Sequence, residues 1–224
     1  MISRYKWYEV RLPIDTKEFI RKLQTNTYTP ASNFGFIVDE SNFRFRFIWE
    51  STINTTLLDS EGNPQNQEIS TINSQDVAII IGARIMFRVE SPARSTRELM
   101  NSLEKIIGFG FSCQPISLRD QDIQSALAGV DNKNLNSLKV SGSLRGAKAL
   151  ARIEIASKEG LNPSEIEILK SGEYVVEAAL YDVSFKGVRG QIGFSKAGTC
   201  KLSGPLKELL LSKIEKVLLD RLKA

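Results

Sequence analysis

The amino-acid sequence predicts an α+β fold, with antiparallel-rich sheets, flanking helices and a long C-terminal amphipathic helix. Three observations predict it. Strand-like segments in the first half cluster instead of alternating one for one with helices. In the second half, short alternating segments such as ARIEIAS, EYVVEAALYDVSF, VRGQIGFS and TCKL are separated by KEGLNP, SG, KG and KAG, which is the spacing of antiparallel strands and turns. The final run PLKELLLSKIEKVLLDRLKA opens on proline and has no later glycine, as a helix requires.

Taken in order, RYKWYEVRL reads as a strand, followed by the capping box Asp15-Thr16-Lys17-Glu18. Phe19, Ile20 and Leu23 then form the apolar stripe of a helix ending near Gln24. FGFIVD and FRFRFIWE read as a hairpin across Asp39 to Asn42, and Glu61-Gly62-Asn63-Pro64 as a turn flanked by strands, because glycine and asparagine tolerate positive φ and proline fixes its own. DVAIIIGARIMFRVES reads as one β-branched strand. Its parity puts Ile79, Ile81, Ile85, Phe87 and Val89 on one side and Arg84 and Arg88 on the other. Ser95-Thr96-Arg97-Glu98 is a second capping box; its helix carries Leu99, Leu103, Ile106 and Ile107 and stops at Gly108. GFSCQPISL is a strand, and a short helix spans about Asp120 to Ala128. SLRGAKALARIEI fits helix and strand templates alike. SEIEILK reads as a strand whose Glu165 and Glu167 alternate with Ile166 and Ile168. In the terminal helix Leu211, Ile214, Leu218 and Leu222 share one face, which packs on the sheet.

The turn-rich stretch GVDNKNLNS marks a boundary between an N-terminal α+β domain, residues 1–130, and a basic, mostly antiparallel β part with the terminal helix, residues 131–224. Charge changes there too. The first part has 14 Lys plus Arg against 15 Asp plus Glu, the second 16 against 11.

Composition excludes several chemistries. Histidine is absent, so Ser-His-Asp and Cys-His pairs, H-E-x-x-H zinc sites and a histidine base are impossible within this chain. The two cysteines, Cys113 and Cys200, form no C-x-x-C pair, and buried free thiols are expected. The longest uncharged apolar run, VAIIIGA, falls far short of the roughly 20 residues of a membrane span. No apolar h-region opens the chain, and a cytoplasmic location is expected. No G-x-x-x-x-G-K-[ST] or G-x-G-x-x-G occurs, and no cofactor is expected.

FRFRFIWE could be a base-stacking platform or a strand with one apolar side. A platform needs small residues beside its aromatics to admit a base, and none is present; Phe45 and Phe47 are expected inside. Arg44 and Arg46 then face outward. Beside Arg84 and Arg88 they would form a surface for phosphates, which arginine grips without sequence preference; the competing reading is a solvated face balanced by Glu50 and Glu90. Arg145, Lys148, Arg152, Lys186 and Arg189, with Lys139, form a looser basic collection in the second half. Two carboxylates and a lysine can hold a nuclease metal, and Glu154, Glu165, Glu167 and Lys170 are the residues available for that role. The expected function is a non-catalytic nucleic-acid-binding or accessory subunit of a larger intracellular complex, with a protein partner and no membrane. The alternatives are a metal-dependent nuclease or phosphodiesterase and a structural subunit that binds only protein.

Overall fold

The computed structural model describes residues 2–143, 149–170 and 174–223. Its strands are β1 (Ile2–Arg11), β2 (Phe34–Asp39), β3 (Arg44–Leu58), β4 (Pro64–Ile81), β5 (Ile85–Glu90), β6 (Ser112–Pro115), β7 (Asn132–Ser143), β8 (Leu150–Ala156), β9 (Tyr174–Phe185), β10 (Val188–Ser195) and β11 (Thr199–Ser203). Its α-helices are α1 (Thr16–Thr25), α2 (Arg97–Ile107), α3 (Asp120–Ala126), α4 (Glu167–Lys170) and α5 (Leu206–Lys223). The fold is thus mostly antiparallel sheet with helices, one of them C-terminal. Among the described residues no helix is long and apolar enough to cross a membrane.

The chain divides into two compact units, one of Val10–Ile80 with Phe87–Cys113 and the other of Met1–Glu9, Ile81–Met86 and Gln114–Ala224. The stretch from Gly129 to Ser137, the candidate boundary, lies inside the second of these; there Asp131 N donates to Ser184 O at 2.9 Å and β7 begins.

In the first unit β2, β3 and β4 form an antiparallel ladder, with Phe36 opposite Phe47 and Phe47 opposite Gln75. α1 begins where the sequence places it. The Asp15 side chain accepts from Glu18 N at 2.8 Å, holding one of the free N–H groups of the first turn. Phe19, Ile20 and Leu23 are buried. The Phe19 ring meets Phe45 edge-on at 6.2 Å and stacks on Phe87 at 5.8 Å. Phe45 and Phe47 are 2% and 0% exposed, so FRFRFIWE has one buried side. Phe43 differs from the other aromatics of that run. It sits in the turn before β3 with φ of 48° and is exposed. α2 buries Leu99, Leu103 and Ile107 and starts at Arg97, whose N donates to Ser95 Oγ at 3.2 Å. Buried Gln75 is fully engaged: its Nε2 donates to Glu90 O at 2.5 Å and its Oε1 accepts from Ala93 N at 3.0 Å.

In the second unit the strand order is β1, β11, β10, β9, β7, β8, and these neighbours pair antiparallel. One face of this sheet is buried. Tyr5, Trp7, Cys200, Leu202, Ile192, Phe194, Tyr181 and Val183 point into it, and α5 packs there beside α3 with Leu206, Leu210, Leu211, Ile214 and Leu218 buried. Arg221 pins the two helices together through Asp122 and donates to Ser117 O at 3.0 Å.

Two sequence expectations are corrected. DVAIIIGARIMFRVES is not one strand: β4 ends at Ile81, Gly82 N donates to Arg84 O at 3.1 Å, and β5 starts at Ile85. The turn at Gly82 breaks the parity that linked Arg84 to Arg88 and leaves Ile81 51% exposed. SEIEILK is not a strand. Pro163–Glu165 is a 3-10 turn leading to α4, because Asn162 accepts from Ser164 N and Pro163 supplies a helical φ at the first position. The described part of the ambiguous SLRGAKALARIEI, from Leu150, is strand β8.

Candidate nucleic-acid interface

The arginines expected to share a phosphate-binding surface each meet a carboxylate. Arg44 and Arg88 both pair with Glu90, Arg88 at 2.8 Å. Arg46 holds Asp76 in a two-pronged bond, Nε to Oδ1 at 2.7 Å and Nη2 to Oδ2 at 3.1 Å. This pairing raises the Arg46 guanidinium pKa further, chiefly through the hydrogen bond to Asp76. Arg84 lies in the β4–β5 turn and pairs with Glu9 at 3.3 Å. Arg88 is the least accessible, its side chain 13% exposed. Glu90, not Glu50, supplies the balance beside Arg44; Glu50 accepts from Ser70 Oγ instead.

The looser collection of the second half fares differently. Arg145 and Lys148 lie outside the described residues. Lys186 sits in the β9–β10 turn with φ of 51° and its Nζ over the Phe185 ring at 5.6 Å. Arg152 and Arg189 are exposed on β8 and β10. Both stand on the sheet face turned away from α5, since Arg152 is opposite Ser141 and Arg189 opposite Ser184.

That outer face gathers cations that the sequence reading passed over. Arg4 of β1 is directly opposite Lys201 of β11, and Lys6 is opposite Thr199. Directly opposed like charges destabilise an antiparallel pair, and among the described residues neither Arg4 nor Lys201 enters an ion pair. Along the same rung, Lys201 is opposite Gly193, which is opposite Leu180. The next rung runs from Ser195 through Ala178 to Lys139, which pairs with Glu154 at 2.8 Å. Small side chains on the middle strands and long ones at the flanks make a groove of 420 Å³, floored by Ala178, Gly193 and Ser195. Two rungs away Asp182 accepts from Gln191 Nε2 at 3.0 Å and from Asn136 Nδ2. Glu177, a further carboxylate near this face, is held below the usual carboxylate range by the Ser141 hydroxyl first and then by Lys196 and Arg152.

No signal local in sequence could have found Arg4 and Lys201. They come from opposite ends of the described chain, and only the pairing of β1 with β11 sets them opposite each other.

The carboxylates considered for metal chemistry are not gathered. Glu154 is on β8 with Lys139, Glu165 accepts from Asn162 Nδ2 at 2.7 Å, and Glu167 and Lys170 belong to α4. Among the described residues no group of three or more Cys, Asp or Glu side chains is placed to hold a metal ion. Burial pushes the Cys113 thiol up to about 12 and also raises Cys200, which leaves both protonated near neutrality. No family model matches the chain, and no curated protein matches it in sequence.

Proposed function

We propose that this protein is a non-catalytic accessory subunit that binds the phosphate backbone of nucleic acid along the outer face of the β1–β11–β10–β9–β7–β8 sheet, in an intracellular, cytoplasmic setting. The observation that carries the reading is the opposition of Arg4 and Lys201. Two cations held face to face without a carboxylate cost a little stability, and a bound polyanion turns that cost into attraction. Lys6, Arg152 and Arg189 extend the surface, and its shallow groove suits a strand more than a small ligand. Backbone contacts of this kind position a nucleic acid without reading its sequence. Arg44, Arg46, Arg84 and Arg88 serve the fold in this reading, because each already meets its counter-ion.

The experiment is a titration of a labelled single-stranded oligonucleotide at several salt concentrations. Binding should weaken steeply with salt. Arg4→Gln with Lys201→Gln should flatten the dependence of log affinity on log salt by about 1.4, two contacts at roughly 0.7 each, without lowering the melting temperature. An unchanged slope in the double variant would remove this face from the proposal, and no binding at low salt would remove nucleic acid altogether.

A purely structural role in an assembly is the second reading. It is favoured by the far half of the β3–β4 hairpin, whose side chains are exposed on both faces.

A further inference from the structure

β2 covers β3 only as far as Trp49, and β5, six residues long, can match only the end of β4. From Ser51 to the turn and back to Asn73 the two strands therefore form a ribbon that, among the described residues, has ladder partners only in each other. A two-stranded ribbon is marginal in water by itself. Natural sheets protect such edges with lysine, proline, bulges or very short strands. Ser51 to Leu58 has no charge, no proline and no glycine, and its ladder with β4 runs without a bulge. Ile53, Leu57, Leu58, Ile69 and Ile72 are 41% to 70% exposed.

The ribbon is also acidic. No lysine or arginine occurs between Arg46 and Arg84, while Glu50, Asp59, Glu61 and Glu68 all lie on or beside the ribbon. That charge repels nucleic acid and anionic lipid, and it calls for a surface that is apolar at its centre and cationic at its edge. The groove of the outer sheet face is such a surface on its β11 side: Ala178, Leu180 and Gly193 line its middle, Lys201 lines that rim, and the Lys139–Glu154 pair lines the other.

We propose that the distal ribbon of one molecule docks in this groove on a second copy of the chain, with Leu57 over the small-residue floor and Glu61 toward Lys201. The contact is heterologous, ribbon to groove, so each molecule brings one of each. It also makes the ribbon and a nucleic acid rivals for one face. That rivalry, unlike the docking, rests on the function proposed above.

Light scattering over a range of protein concentrations tests the docking. The wild-type chain should associate reversibly. Leu57→Asp with Glu61→Lys, at the exposed ribbon tip, should weaken association at least about tenfold. So should Gly193→Val with Lys201→Glu, which fills the floor and inverts the rim; a Cβ at Gly193 meets Leu180 Cδ1 and Lys201 Cβ at 3.4 and 3.6 Å, ordinary contact distances. A mixture of the two variants should form a one-to-one pair, since one supplies an intact groove and the other an intact ribbon; that pairing also shows that both are folded. A monomeric wild type at every concentration would overturn the proposal, and so would a groove variant that associates like the wild type. Oligonucleotide added to the wild type should displace the second copy. Association that persists with the oligonucleotide bound would end the rivalry and leave the docking standing, whereas an oligonucleotide that never binds would count against the function alone.

Discussion

The two cationic surfaces of this protein are built from similar residues and differ in what stands across from them. On β3 and β5 the guanidinium groups of Arg44, Arg46 and Arg88 face Glu90 and Asp76, and beneath them Phe45 and Phe47 close the core. On β1 and β11, Arg4 and Lys201 face each other. Parity along one strand decides which side a residue occupies; the neighbouring strand decides whether its charge is spent. A run such as FRFRF thus announces a surface without saying whether the surface is available.

The sharpest test of the first surface lies under it. Phe45→Ala should cost about 3 to 5 kcal/mol, as truncation of a buried phenylalanine does, and should show as a large fall in melting temperature. Normal melting with lost oligonucleotide binding would mean that the strand is turned the wrong way round. Glu90→Gln comes next. It withdraws the counter-ion of Arg88, whose side chain is 13% exposed, and of Arg44, so a loss of about 1 to 3 kcal/mol is expected. A change within about 0.5 kcal/mol would show these pairs to be surface ornaments. Smaller again is the effect on binding of changing Arg44, Arg46, Arg84 and Arg88 to Gln together. The salt slope should stay near the wild-type value, and a slope flattened by about four contacts' worth would move the interface back to this surface.

The smallest expected effect is a pH effect at the ribbon tip. Asp59 Oδ1 accepts from Asn63 N at 2.8 Å and from Glu61 N at 2.9 Å. The Asn63 backbone bond, foremost, and the Glu61 bond hold its carboxyl below the usual carboxylate range. A depressed carboxyl stabilises the turn at every pH above its unfolded value of about 3.9, and the contribution disappears as pH falls through the folded value. Amide exchange at Glu61 and Asn63 should be unchanged between pH 7 and 5, and should accelerate beyond the intrinsic trend below about pH 4. Flat protection factors down to pH 3 would sever the link between this carboxylate and the shape of the tip.

Much of the fold was legible where the signal is local. Asp15 with Glu18, the alternation in β3 and β9, and the glycine-asparagine-proline turn at Glu61 to Pro64 all state their structure within a few residues. SEIEILK misled because alternation outweighed the two residues before it; Asn162 and Pro163 are a helix start, and they win because they satisfy the first free N–H groups at once. DVAIIIGARIMFRVES misled because its alternation runs unbroken through Gly82, which opens a turn. The site was the least legible part. Arg152 and Arg189 were picked out by charge, but the rung that joins Arg4, Lys201 and Gly193 exists only after β1 has found β11 and β11 has found β10.

That last dependence reaches into how the molecule comes to exist on the ribosome. Ile2 stands in register with Ser203, so the edge of β1 that meets β11 stays open until nearly all the described chain has been synthesised, although β5 and β6 can pair with β1 earlier; β3 and β4 are joined by a short turn and can zip as soon as both have emerged. Contacts so distant in sequence close slowly, and an unpaired strand edge is exposed to other chains in the meantime. The waiting strand is RYKWYEVRL, in which Arg4, Lys6 and Arg11 are spaced among the aromatics. Their mutual repulsion between nascent copies offers a gatekeeper against clumping during the interval before folding ends.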